Sequence, residues 1–131
     1  MEWTFVGKAG RGIDVDLGPG YSALTEALAD GVSSMPPRSA QEQGLSTYWI
    51  DHVLNGMAWV GSGTHVLTSG NVTELVLEDQ VVIARSLYEL FDDQRIDRET
   101  FAEILREWRS EVVQRADEYR IAETYRRNGF E

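Results

Sequence analysis

Phe101, Ile104, Leu105, Trp108, Val112, Ala116 and Tyr119 step along the chain by three and four residues. That spacing sets one apolar stripe along an α-helix of about five turns, and such a helix needs a second layer against which to bury the stripe. The boundary of the helix is also legible. Asp97 stands where an N-cap belongs, and Glu99 in the first turn suits the positive end of the helix. Glu103 with Arg106 and Glu111 with Arg115 form pairs of opposite charge at i,i+3 and i,i+4 outside the stripe. Towards its end the helix approaches Tyr125, and "RRNGFE" (126–131) reads as a frayed terminus.

The second layer is predicted upstream. In "IDVDL" (13–17), Ile13, Val15 and Leu17 alternate with Asp14 and Asp16, the pattern of a half-buried strand. "EWTFV" (2–6) is aromatic and β-branched, so 2–17 reads as a hairpin closed by the glycine-rich turn "GKAGRG" (7–12). "THVLTSGNVTELVLEDQVVIARSLYELF" (64–91) reads as strands in series: "HVLT", a Ser-Gly-Asn turn, "VTELVL" with Thr73, Leu75 and Leu77 on one face, then "VVIARSLYEL" (81–90). These connections are too short for a parallel crossover, so the strands form an antiparallel meander; a helix over 81–91 is the alternative. "YSALTEALAD" (21–30) is a helix, with Gly31 as its stop. Pro-Pro and serines make 31–44 a loop. "LSTYWIDHVLNGMAWVG" (45–61) carries a helical stripe of Leu45, Trp49, Ile50, Val53 and Leu54, with Ser46 or Thr47 as cap, Asn55-Gly56 as end, and "MAWV" as a short strand or one more turn. The architecture is therefore α+β, a single domain over 1–131: an antiparallel sheet of four to five strands, helices packed on one face, and a long C-terminal amphipathic helix.

Composition narrows the function classes. The chain of 131 residues has no cysteine, which removes disulfides, thiolate zinc sites and a cysteine nucleophile. The opening "MEWTFVGKAG" lacks the basic and apolar regions of a signal peptide, and no stretch approaches the length of a membrane span, so a cytoplasmic setting is expected. The net charge is −10, and it is uneven: residues 1–97 hold 14 acids and 5 bases, whereas residues 98–131 hold 8 acids and 7 bases. Such a surface repels nucleic acid and anionic lipid and attracts cationic proteins and metal ions; solubility alone is the other reading of the charge.

Motifs for chemistry are weak. A calcium loop beginning at Asp93 needs an oxygen ligand, glycine and glutamate at its third, sixth and twelfth positions, where this chain has Arg95, Arg98 and Ile104. Asp14 with Asp16 and Asp92 with Asp93 are close carboxylate pairs, but nothing around them separates an acid from a base. His52 and His65 lack metal-ligand spacing, and "GSGTH" lacks the Gly-x-Ser-x-Gly elbow. "GKAGRG" precedes a strand and lacks the Lys-Ser/Thr ending of a phosphate loop. The two arginines of "YRRNGFE" are too little basic surface for nucleic acid. No cofactor or metal is expected.

The run "GNVTELVLEDQVVIARSLYELFDDQRIDRETFAEILREW" (70–108), a meander, an acidic loop and a tryptophan-bearing helix, resembles small acidic bacterial immunity proteins. The resemblance implies a non-catalytic protein that neutralises a cognate toxin, often a nuclease, by stoichiometric binding. Its acidic contact residues are expected among Glu78, Asp79, Asp92, Asp93 and Asp97. Two other readings stand beside it: an accessory subunit with an apolar face near Trp49 and Trp59, and a small-ligand domain or enzyme using His52 or His65.

Overall fold

The computed structural model describes residues 1–8, 12–35 and 45–127, with side chains throughout except at 8 and 117–127. Within these residues the order is β1 (Thr4–Lys8), β2 (Gly12–Asp16), α1 (Ser22–Gly31), α2 (Tyr48–Trp59), β3 (Thr64–Ser69), β4 (Thr73–Glu78), β5 (Val81–Ser86), β6 (Gln94–Asp97) and α3 (Arg98–Arg127). β3 to β6 form a four-stranded antiparallel meander, while β1 and β2 form a separate two-stranded sheet. The α+β class and the long C-terminal helix are as predicted. The turn residues 9–11, the loop residues 36–44 with their Pro-Pro pair, and the terminal 128–131 lie outside the described residues, as do the side chains of Tyr119 and Tyr125.

One core joins all the layers. Leu75 and Leu77 of β4, Val82 and Ala84 of β5 and Ile96 of β6 face α1, α2 and α3, and Thr73 is buried on the same face. Phe101, Ile104, Leu105, Trp108 and Val112 are buried, so the C-terminal stripe packs as its spacing requires as far as Val112, whereas Ala116 is only half-buried. Burying each such side chain contributes about 1.5–3 kcal/mol relative to exposure. Ile13, Val15 and Leu17 bring the hairpin onto the same core.

Side chains satisfy the hairpin's outer edge. The Ile13 N–H donates to Ser34 Oγ at 2.7 Å, and the Ile13 carbonyl accepts from Trp108 Nε1 at 2.8 Å. A buried strand edge leaves no such group unpaired without penalty. Gly12, at φ +86°, lies so close to Ser34 Oγ that a Cβ there would collide with it.

Several boundaries differ from the sequence reading. α2 does not end at Asn55-Gly56 but runs to Trp59, the further-turn alternative for "MAWV" and not the strand, because Ile50, Val53 and Met57 keep its buried stripe going. Thr47 is its N-cap residue, as one of the two predicted, but the Thr47 hydroxyl accepts from no backbone N–H and donates to Asp51 Oδ2 at 2.8 Å, while Ser46 Oγ accepts from the Tyr48 N–H at 3.1 Å. α1 includes Gly31, so the glycine is its last turn and not a stop beyond it. The strand read over 81–90 ends at Ser86, and residues 87–90 are exposed. The stretch read as an acidic loop contains strand β6, whose Ile96 is buried opposite Val82.

Asp97 caps α3 as predicted: its Oδ2 accepts from the Thr100 N–H at 3.1 Å and the Thr100 hydroxyl at 3.3 Å. Asp97→Ala is expected to cost about 1 kcal/mol, a drop of about 4 °C in a thermal melt. A melt unchanged within 1 °C would remove the cap from the account.

Candidate functional site

The register decides how the five predicted acids group. Glu78 pairs with Val81, and Val81 with Asp97, so Glu78 and Asp97 flank one residue at one end of the four-stranded sheet. Asp79 occupies the adjoining β4–β5 turn. Asp92 and Asp93 lie in the β5–β6 loop at the opposite end. All five are exposed. β6 folds back and carries Asp97 away from Asp92 and Asp93, so the acids form two groups.

At the first end the geometry is largely architectural. Asp79 sits at φ +53°, a conformation that Asp tolerates better than most residues. Its Oδ1 accepts from the Gly63 N–H at 3.2 Å, which ties the turn to the loop before β3. Arg98 binds this region from the other side: Nη1 donates to the Asp79 carbonyl at 3.2 Å and Nη2 to the Met57 carbonyl at 2.6 Å. A cation there also complements the negative C-terminal end of α2. The Glu78 carboxylate, by contrast, makes no hydrogen bond or ion pair among the described residues, although its backbone belongs to the β4 ladder. Two residues beyond Met57, Trp59 is 88% exposed.

The second end is shaped differently. Arg85 Nε lies 3.7 Å from Asp93 Oδ2 on the surface, a pair worth little in water. Asp92 has no hydrogen-bond or ionic partner among the described residues. The loop itself is ordered by backbone groups. The Leu87 N–H donates to the Val72 carbonyl at 2.8 Å, Ser86 Oγ accepts from the Leu90 N–H at 2.9 Å, and Glu89 takes φ +56°. Leu87, Tyr88 and Leu90 point into solvent at 44%, 66% and 70% exposure.

Beside this loop stands Asp30, a carboxylate with four hydrogen-bond donors that sequence reading passed over. Asp30, in the last turn of α1, accepts from the N–H groups of Asn71, Val72 and Thr73 at 3.0–3.1 Å and from the Thr73 hydroxyl at 2.6 Å. Partial burial acts to raise its pKa; the donors from Thr73, Val72 and Asn71 outweigh that and hold it below the ordinary carboxylate value. Gln94 plays a comparable role at the other end of α1, where Oε1 accepts from the Leu24 N–H at 3.0 Å and Nε2 donates to the Gly20 carbonyl at 3.0 Å. The Asp30 contacts bridge 41–43 residues and the Gln94 contacts 70–74, so no local signal announces them.

A third acidic feature lies between β2 and α1. Asp14, Asp16 and Glu26 border an open groove of about 450 Å³ with Val6, Val15 and Ala29. Asp16 Oδ1 accepts from the Gly18 N–H at 2.9 Å. Among the described residues no three His, Asp or Glu side chains are grouped to hold a metal ion. His65 Nε2 lies 3.2 Å from the Ser62 carbonyl, and the His52 ring meets Trp49 edge-on at 5.8 Å, so each histidine has a local contact in a different element. No helix among the described residues is long and apolar enough to cross a membrane.

Protein-family profiles, curated proteins and solved structures show no match to this chain.

Proposed function

We propose that the chain is a non-catalytic binding protein that neutralises a cationic protein partner, such as a toxin domain, through its acidic surface. The observation that carries this reading is the exposure of the predicted acids at both ends of the sheet, with the carboxylates of Glu78 and Asp92 free of a hydrogen-bond or ionic partner among the described residues. Carboxylates left solvated in a chain of net charge −10 contribute no folding contact, whereas they raise the rate at which a basic surface is met. Asp79 and Asp97 have structural duties, so they are poor probes of this role. Glu78 and Asp92 are good ones.

Replacing both with arginine, Glu78→Arg and Asp92→Arg, is expected to lower the association rate with the purified product of a toxin gene neighbouring this one by tenfold or more at low salt. The effect should shrink as salt rises, and the melting temperature should stay within about 2 °C. Failure of that gene product to form a 1:1 complex with the unaltered chain would overturn the proposal.

A second reading has one observation in its favour. Trp59, exposed at 88%, is a large aromatic with little cover, as in an accessory subunit that docks by an apolar face. Trp49 does not join it, because Trp49 packs partly against the core. Sizing chromatography of the chain and of Trp59→Ser separates the two: self-association lost in the variant favours the subunit reading.

A further inference from the structure

We infer that the β5–β6 loop, residues 87–93, is the anchor of the interface: Tyr88 and Leu90 enter an apolar pocket on the partner while Glu89, Asp92 and Asp93 meet a basic rim around it. The inference rests on the proposed binding function and names the part of the surface that holds the complex together.

The first support is the loop's length. β4 and β5 are joined by two residues, Asp79 and Gln80, which suffice for neighbouring antiparallel strands. β5 and β6 are equally adjacent, yet seven residues join them. The excess is not spent on the core. Three of its first four residues are large and apolar, and Leu87, Tyr88 and Leu90 remain 44–70% exposed. Single exposed apolar side chains are ordinary on a protein surface, but three within four residues concentrate exposed apolar area on one loop.

The second support is order. The Ser86 hydroxyl, the Val72 carbonyl and the left-handed conformation at Glu89 hold the loop in one shape. A Glu at φ +56° is strained relative to glycine, so this shape is maintained by the surrounding bonds. A loop ordered before binding loses less conformational freedom when it docks. Tyr in particular combines a large apolar area with few rotatable bonds, and aromatic residues dominate the centres of interfaces.

The third support is charge, and it selects the occupant. Glu89 lies within the apolar stretch and Asp92 and Asp93 follow it in the loop; all three are exposed, and Asp93 stands 3.7 Å from Arg85 Nε. An anionic membrane would be repelled by this rim. A second copy of the chain would bring a further −10 against the first. A protein surface with an apolar pocket bordered by arginine or lysine satisfies both parts of the loop.

The test uses the full chain and the purified product of that neighbouring toxin gene, with binding followed kinetically at low and high salt. Tyr88→Ala and Leu90→Ser are each expected to weaken the complex at least tenfold, chiefly by faster dissociation, with the salt dependence unchanged. Asp92→Asn should slow association and flatten the salt dependence. All three variants should melt within about 2 °C of the parent, since these side chains are exposed. A complex that forms but tolerates Tyr88→Ala and Leu90→Ser within twofold overturns the anchor and leaves the cationic-partner reading in place. No complex with the parent chain overturns both. Concentration-dependent dimerisation abolished by Tyr88→Ala, or binding to phosphatidylglycerol vesicles abolished by it, also overturns the anchor.

Discussion

Trp108→Ala is expected to produce the largest loss of stability of any single truncation in this molecule. The side chain is fully buried and lies at the meeting of α3, β2 and the core. Removing a buried indole costs about 3–5 kcal/mol through lost burial and the cavity left behind. The Ile13 carbonyl also loses its donor, and a buried acceptor without a partner costs a further 1–3 kcal/mol or so. Domains of this size are stable by only about 5–15 kcal/mol, so the variant should melt at least 15 °C lower or fail to fold. Trp108→Phe separates the two contributions. It retains most of the apolar volume and removes only the N–H, so it should cost much less than the alanine variant, with early exchange of amides in β2. If Trp108→Ala melted within 5 °C of the parent, the packing of the hairpin onto α3 would be wrong.

The stripe that includes Trp108 was readable because helix burial imprints its 3.6-residue period on the sequence, and α3 has a single buried face. The alternation of Thr73, Leu75 and Leu77 was readable for the same reason at period two. β6 was missed because its four residues hold one buried apolar side chain, Ile96, among charged neighbours. The loop at 87–90 was misread in the opposite sense: Leu87, Tyr88 and Leu90 extend an apolar run, and composition alone cannot tell an exposed leucine from a buried one. Its signal was the length of chain between β5 and β6, visible only once β6 is known. The partner candidates divided along similar lines. Glu78 and Asp92 are as solvated as their sequence neighbourhood suggested. Asp79 is engaged by Gly63, a contact 16 residues away that arises from the fold. The position of Arg98 between the end of α2 and the β4–β5 turn likewise depends on tertiary structure, although a basic residue after an N-cap looks unremarkable in the chain.

Asp30→Ala is expected to be the most damaging substitution of a charged residue. The carboxylate gathers four donors from the β3–β4 hairpin loop, two of them backbone groups at part-buried positions. Without it the Val72 and Thr73 N–H groups lose their acceptor, and the end of α1 is released from the hairpin. Hydrogen bonds to a charged group are worth about twice neutral ones, so a loss of about 2–4 kcal/mol is expected, or about 8–16 °C in the melt. Asp30→Asn retains the shape but presents an amide N–H₂ to a cluster of donors, and should recover less than half of that loss. The pH dependence supplies a second measurement. The folded-state pKa of Asp30 is lowered, so its contribution to stability is fully present above the unfolded value near 3.8 and is lost as pH falls through the lower, folded value. The melting-temperature gap between the parent and Asp30→Asn should therefore be constant from pH 7 to about 5 and narrow below pH 4. A gap that stays constant down to pH 2.5 would mean that ionised Asp30 does not hold the loop. Gly70 tests the same contact from the facing side. A Cβ there would collide with the Asp30 carboxylate and stand 2.7 Å from its carbonyl oxygen, which is backbone and cannot swing away. Gly70→Ala should thus be strongly destabilising alone, and less so when Asp30 is already alanine, because the two changes disrupt one joint between α1 and the hairpin.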